Sequence, residues 1–415
     1  MAQIAYVTQI AYMAQIIYVA QIAYVAQIAY VAQIAYVAQI AYVTQIAYVT
    51  QIAYVTQTKG NPMAETLLMK GNEVIAEAAI RAGCRHYFGY PITPQTEIAH
   101  YMAQKMPRIG GTFIQAESEV AAINMVYGAS GAGARAMTSS SSPGISLKQE
   151  GISYMSCAEL PAVIVNIMRC GPGLGGILAA QADYFQAVKG GGHGDYHMVV
   201  LAPDNLQELY ELTVEAFNIA DRYRVVVMIL GDGMLGQMME AVRFNDEETI
   251  EKTDKGWATT GSKLERAHNV ITSIDTNPER LEAINNRLQA TYREIERREA
   301  RVEAYRCEGA DLIITSFGTV ARIIKNVIDD AEKEGIKVGL IRPISVWPFP
   351  YDEIRKYVDT PKAFLSVELN AGQMVEDVRL AVDGKKPVHF LGRMGGMAPT
   401  QAEIVDKIKV ILSNE

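Results

Sequence analysis

Cysteine is scarce in this chain, and charge is missing from its first part altogether. Four cysteines, Cys84, Cys157, Cys170 and Cys307, occur in 415 residues, none in a C-x-x-C spacing. That excludes a disulfide framework, a zinc ribbon and a self-contained iron–sulfur cluster, each of which needs grouped thiols. Such thiols fit a reducing compartment, and the expected location is the cytoplasm. The net charge is −8, so there is no excess of basic residues to build a nucleic-acid face. No Asp, Glu, Lys or Arg precedes Lys59, and no Gly, Pro, Asn or Asp precedes Gly60.

What stands in that uncharged stretch is a repeat. Residues 2–55 are nine copies of a six-residue unit, A/T-Q-I-A-Y-V, broken only by Met13 and Ile17, and 43 of the first 58 residues are apolar. Glutamines six apart step by roughly 240° around a helix, so they mark no single face. A hexapeptide solenoid would need corner residues, which are absent. A membrane span is disfavoured by the recurring Gln and the missing basic flank, and a signal peptide by the lack of an early basic region. High β propensity without charge is an aggregation signature. Residues 1–62 therefore read as a low-complexity extension with no part in chemistry; an anchor and an assembly segment are the alternatives. Met63, after the breaker cluster Lys59-Gly60-Asn61-Pro62, is the expected start of the folded protein.

Beyond it, short apolar runs alternate with helical stretches. Glu73–Ile80 reads as a helix stopped at Gly83. Tyr87–Tyr90 reads as a strand entering Pro91-Ile92-Thr93-Pro94, with Glu97–Met106 the next helix. Thr112–Gln115 and Ala136–Ser139 read as strands, followed by helices Ser118–Ser130 and Ile145–Ala158. Ala162–Met168 and Val225–Leu230 are unbroken apolar runs, as parallel strands covered on both faces require. This alternation defines an α/β domain with a parallel sheet over 63–245. A charged helical connector, 246–307, follows. Asn277-Pro278 starts its helix, and Leu281, Ile284, Leu288, Tyr292, Ile295 and Val302 keep a near-heptad spacing, for packing on the same chain or on a partner. Residues 308–415 read as a second α/β unit, with strands at Asp311–Phe317, Lys337–Ile341, Ala363–Glu368 and Val388–Leu391.

Several motifs sit where strands end, the edge at which such sheets meet ligands. The Tyr90-Pro91-Ile92-Thr93-Pro94 turn is stiffened by two prolines. Glu117 and Glu119 open a helix, as caps or as an activated acid. Ser139–Ser142 with Pro143-Gly144 offers backbone N–H groups to an anion, or is a plain turn. Arg169 follows a buried strand, where a guanidinium suits a carboxylate. Lys189–His197 has three glycines ahead of His193 and His197 four residues after it; it reads as a metal loop, a mobile substrate-side loop or a plain loop. Gly231-Asp232-Gly233 lacks the Asn that a diphosphate–metal motif needs further on, and reads as a turn.

Taken together these motifs resemble the alpha subunit of 2-oxoacid:ferredoxin oxidoreductases, closest to the branched-chain, 3-methyl-2-oxobutanoate (2-oxoisovalerate) type. The likeness runs through Met69–Glu73, Gly89–Glu97, Gln115–Ala122, Thr138–Gly144 and Lys189–Tyr196 and covers nearly everything after Met63; the repeat region has no counterpart in that pattern. Single-chain pyruvate relatives differ in having two serines where Gln95-Thr96 stand. The resemblance implies a pyrimidine-type thiamine-diphosphate-binding domain followed by a transketolase C-terminal-like α/β domain. It implies Glu119 at the pyrimidine N1′, Thr93 beside the reacting centre and Arg169 on the 2-oxoacid carboxylate, with Tyr90, Pro91, Ile92 and Ser142 also in the cofactor site. It implies oxidative decarboxylation of the 2-oxoacid with CoA to acyl-CoA, CO₂ and reduced ferredoxin. It further implies partners: a beta subunit with the diphosphate half, Mg²⁺ and a [4Fe–4S] cluster, a gamma subunit and a ferredoxin-like delta subunit. The same fold acting on 2-oxoglutarate, pyruvate or an aryl-pyruvate is an alternative; so is a non-catalytic assembly or anchoring role.

Overall fold

The computed structural model describes residues 65–245 and 250–414. The repeat, the extension 1–62 and the expected start at Met63 lie outside them. The described strands of the first half are β1 (Glu65–Lys70), β2 (His86–Gly89), β3 (Thr112–Gln115), β4 (Ala136–Ser140), β5 (Ala162–Met168), β6 (Val199–Leu201), β7 (Val226–Asp232) and β8 (Met239–Phe244). Those of the second half are β9 (Val302–Tyr305), β10 (Leu312–Thr315), β11 (Val338–Pro343), β12 (Ser345–Trp347), β13 (Ala363–Glu368) and β14 (Val388–Gly392).

The α/β class expected from the alternation of strands and helices is what forms. The first sheet runs β12-β6-β7-β5-β4-β2-β3. It is parallel throughout except for β12, which lies antiparallel on β6. The largely apolar strands β5 and β7, polar only at Asn166 and Asp232, pair along their whole length, Ala162 opposite Val226 to Met168 opposite Asp232, and are wholly buried. Helices on both faces leave no polar side to such strands, which is why they do not alternate. The second sheet runs β14-β13-β10-β11-β9, with β9 antiparallel at its edge. β1 and β8 form a separate antiparallel ribbon.

Three sequence expectations change. The helix expected from Ile145 begins at Ser142, because Pro143 fills a first-turn position where no N–H is needed. The connector helix ends at Arg298, and Val302, read as continuing its stripe, opens β9 instead. Gly231-Asp232-Gly233 is a helix cap and not a plain turn: Asp232 Oδ1 accepts the amides of Met234 (2.9 Å) and Leu235 (3.1 Å), opening helix Gly233–Gln237.

The two sheets are interlocked. β12, from within the second half, crosses back to the edge of the first sheet, with Ser345 opposite Leu201. The connector helix Pro278–Arg298 packs on its own chain through buried Leu288, Tyr292 and Ile295. Tyr292 lies edge-on to Trp347 beside β6, with ring centroids 5.7 Å apart.

Candidate active site

Sheet topology locates the site. In the first sheet the chain runs from β2 outward to β3, then returns to β4 on the other side of β2. Ligands of open α/β sheets bind outside the strand carboxyl ends at such a reversal. The loops leaving β2, β3 and β4 carry Thr93, Glu119 and Ser140–Ser142. The second sheet has its own reversal between β10 and β13, but that crevice is filled. Gln181 from the first half lies in it, donating from Nε2 to the Phe317 carbonyl (2.8 Å) and accepting the Leu369 amide on Oε1 (3.2 Å). Asn370 Nδ2 donates to the Gln181 carbonyl at 2.8 Å. Gly318, at φ +57°, lets the chain turn beside it, a conformation other residues rarely adopt.

At the open crevice, Glu119 is the first residue of helix Glu119–Gly131, which Ser118 caps by accepting the Ala121 amide at 3.1 Å. The helix start turns Glu117 outward and Glu119 inward; Glu117 is exposed and Glu119 buried. The carboxylate rests on helix Ser142–Cys157 at Gly144. A Cβ there would lie 2.7 Å from Glu119 Oε1 and 2.1 Å from Ser140 Oγ, so only glycine fits. Lys148, fully buried one turn further along, donates to the Glu119 carbonyl at 3.4 Å.

The Tyr90–Pro94 turn is held from below. Asn72 Nδ2 (2.7 Å) and Gln237 Nε2 (3.1 Å) both donate to the Pro94 carbonyl. Gln95 is buried and accepts from Ser139 Oγ at 2.5 Å, and Ser139 also meets Tyr87 Oη at 2.6 Å. Gln95 Nε2 reaches back to the Tyr90 carbonyl at 3.4 Å. The departure from the serine pair of pyruvate relatives thus supports the turn from inside. Tyr90, Pro91 and Thr93 are exposed at its crest, and Ile92 is half-buried.

Arg169 is drawn to the same turn. Its Nη1 donates to the Thr93 carbonyl (2.9 Å) and its Nη2 to the Leu174 carbonyl (3.0 Å), tying turn to glycine loop. Ser142 is engaged as well: its hydroxyl accepts the Arg169 amide (3.0 Å) and donates to Asp183 (2.6 Å). Burial raises the Asp183 carboxyl pKa, which the bonds from Ser142 and Asn166 counter. His193 and His197 do not converge on the site. His197 stacks on Trp347 with centroids 4.6 Å apart, and burial lowers its pKa.

Thr93, Glu119, Arg169, Ser142, Tyr90, Pro91 and Ile92 thus all lie on the loops of one crevice. Reading the sequence gave no role to Lys148, Asn72, Asp183 or Gln237, and named Gln95 only as a departure from the pyruvate relatives. Lys148 alone carried a signal, its spacing of four from Gly144 on one helix. The crevice fits a polar cofactor: the Ser140 and Ser141 hydroxyls and Arg169 Nε are buried without a partner, and such groups ordinarily have one. A cavity of about 530 Å³ opens beside Thr93, lined by Pro94, Glu97, Ile177, Leu178 and Gln237 among others.

The comparisons with known proteins follow the same lines. The family model for the thiamine-diphosphate-binding domain of pyruvate flavodoxin/ferredoxin oxidoreductase matches residues 77–304. That for pyruvate:ferredoxin oxidoreductase core domain II matches 310–404, the unit read as transketolase C-terminal-like. The chain belongs to this family of 2-oxoacid oxidoreductase subunits. It is 49% identical over 346 residues to the ketoisovalerate oxidoreductase subunit VorB of Methanothermobacter marburgensis, covering 83% of this chain and 98% of that one. It is 34% identical to the 2-oxoglutarate synthase subunit KorA of the same organism, covering 83% and 99%. Among solved structures, the 2-oxoglutarate:ferredoxin oxidoreductase of Magnetococcus marinus superposes with a TM-score of 0.76 at 26% identity, over 86% of this chain and 68% of that one. Among the described residues, no helix is long and apolar enough to cross a membrane.

Proposed function

We propose that this chain is the alpha subunit of a cytoplasmic, multi-subunit enzyme that oxidatively decarboxylates 3-methyl-2-oxobutanoate with CoA, passing the electrons to ferredoxin. The observation that carries the reading is the buried Glu119 carboxylate seated on Gly144 at the reversal of the first sheet. When bound, thiamine diphosphate supplies the nucleophilic carbon and the electron sink for loss of CO₂. Glu119 would hold the pyrimidine N1′ and a proton there, with Ser140 and Ser141 offering hydroxyls beside it. Thr93 stands at the exposed crest, where its hydroxyl would be available beside the reacting centre of the bound cofactor. Arg169 fixes the Thr93 carbonyl, and its unpartnered Nε is the donor left for a substrate carboxylate. Tyr90, Pro91 and Ile92 form the wall, and Ser142 steadies the helix end.

The four cysteines are separate free thiols, so the electron path belongs to partners. We assign a beta subunit carrying the diphosphate half, Mg²⁺ and a [4Fe–4S] cluster, a gamma subunit and a ferredoxin-like delta subunit. An apolar rim at the crevice supports a partner there. Leu174, Ile177, Leu178, Met394 and Met397 are 55–82% exposed, and Leu178 packs at Gly396. Exposed apolar surface of this kind marks protein contact. The working division is the extension 1–62, the pyrimidine-side domain 63–245, the connector 246–307 and the second unit 308–415.

The branched-chain substrate rests on the higher identity to VorB, 49% against 34% for KorA. The KorA likeness favours 2-oxoglutarate as the second reading. Acyl-CoA formation by the reconstituted complex, with a panel of 2-oxoacids and a low-potential acceptor, decides between them. The expected result is the highest kcat/KM with 3-methyl-2-oxobutanoate and no turnover by the chain alone. Preference for 2-oxoglutarate rejects the first reading, and a complex without thiamine diphosphate or turnover rejects both.

A further inference from the structure

Lys148 touches Glu119 and has no part in the reading above. It lies on helix Ser142–Cys157, four residues beyond Gly144 and therefore on the same face. Gly144 is where the Glu119 carboxylate rests, so the two side chains share that face. The ammonium is fully buried, and the Glu119 carbonyl at 3.4 Å is its hydrogen-bond partner among the described residues. An ammonium has three donors, so two are left over in a buried space beside an acid. Burial outweighs the attraction of Glu119 and lowers the Lys148 pKa from 10.5 to about 8. A charge kept inside at a net cost to the fold, against the acid on which a site turns, points to function more than to stability.

We propose that Lys148 is a positioning residue for Glu119, its ammonium serving as counter-charge to the carboxylate while it pins the carbonyl of the same residue. Both ends of Glu119 are then fixed before thiamine diphosphate enters. The proposal rests on the reading that Glu119 meets the pyrimidine ring.

A double-mutant cycle on cofactor binding tests it. Thiamine diphosphate is titrated calorimetrically into the assembled complex after the cofactor has been removed, for wild type, Lys148→Met, Glu119→Gln and the double variant. In the wild-type background Glu119→Gln is expected to weaken binding about tenfold or more. In the Lys148→Met background the same change is expected to have an effect differing from that by about fivefold or more, since neighbouring opposite charges in a buried space do not act independently. A lysine that only fills space shifts the dissociation constant by one factor in both backgrounds; equal factors overturn the proposal. Lys148→Gln keeps a donor for the carbonyl but no charge, and serves also if Lys148→Met fails to assemble. It is expected to lose the coupling too, and full coupling with Gln overturns the counter-charge role. A Glu119→Gln complex that binds and turns over as wild type removes the reading beneath the proposal, an outcome visible in that single variant.

Discussion

A lysine with no exposed surface makes a prediction about stability as well as about binding. The Lys148 amine titrates near 8 in the fold, against an ordinary 10.5 in the unfolded chain. Below about pH 8 both states are charged and the whole burial penalty is present. Between about 8 and 10.5 the unfolded chain holds a proton that the folded one has lost, so this group's contribution to stability rises with pH. Lys148→Met is therefore expected to stabilise the protein at pH 7, on the order of 3 kcal/mol, with the gain fading towards pH 10. Melting temperatures of the two proteins across that range check it; a constant difference would refute the burial argument. Gly144 makes the second residue-scale prediction. Gly144→Ala places a methyl 2.1 Å from Ser140 Oγ and 2.7 Å from Glu119 Oε1, so one of them must move. We expect thiamine diphosphate binding by the complex to weaken at least about tenfold, because an acid displaced by about an ångström loses its alignment. Unaltered affinity would show that Glu119 does not meet the cofactor at this place.

At the scale of elements, short helices here depend on acidic side chains at their starts. Glu368, at the end of β13, accepts the amides of Met374 (2.8 Å) and Val375 (2.9 Å) and that of Gln373 (3.2 Å), together with Asn370 Nδ2 (2.9 Å) and Ser366 Oγ (2.9 Å). It is fully buried, so replacing it leaves buried donors without partners. Glu368→Ala is expected to cost on the order of 3 kcal/mol, read as the shift in denaturant midpoint at unchanged slope. Strands and long helices were legible in the sequence because their signals are local: apolar runs for β5 and β7, Ser118 and Asn277 before their helices. β6 and β12, three residues each, carry too little pattern to be seen. The cap at Asp232 was read as a turn because a five-residue helix has no periodicity of its own.

The whole molecule is held by elements that cross between its halves. β12 completes the first sheet from within the second half. Arg342, 4% exposed, sits between them: it donates from Nη1 and Nη2 to Glu208 at 2.8 Å each and from Nε to Glu303 at 2.6 Å. Glu208 belongs to helix Leu206–Tyr223, beside the first sheet, and Glu303 to β9 of the second. Removing Arg342 takes the cation from Glu208, while Glu303 keeps Lys325 Nζ at 2.9 Å, so Arg342→Ala is expected to cost about 3 kcal/mol. A chain ending at residue 307 would leave β6 an open edge and uncover His197 from Trp347. It is expected to aggregate, whereas the whole chain melts in one transition; a soluble, cooperatively folding 63–307 fragment would contradict this.

The sequence by itself determined the α/β class, the order of most elements and which loops carry the polar chemistry. Each of those follows from residues near one another in the chain: apolar runs, caps, prolines and glycines at turns. Tertiary structure alone decided that Glu119 meets Gly144 and Lys148, since the glutamate opens one helix and the other two share a face of the next, brought together by the reversal of the first sheet. It also decided which of the two sheet crevices is open. Gln181 fills the second one from a distance of well over a hundred residues along the chain, donating to Phe317 across that gap. No local pattern records such a contact, because its free energy comes from groups that folding alone brings together.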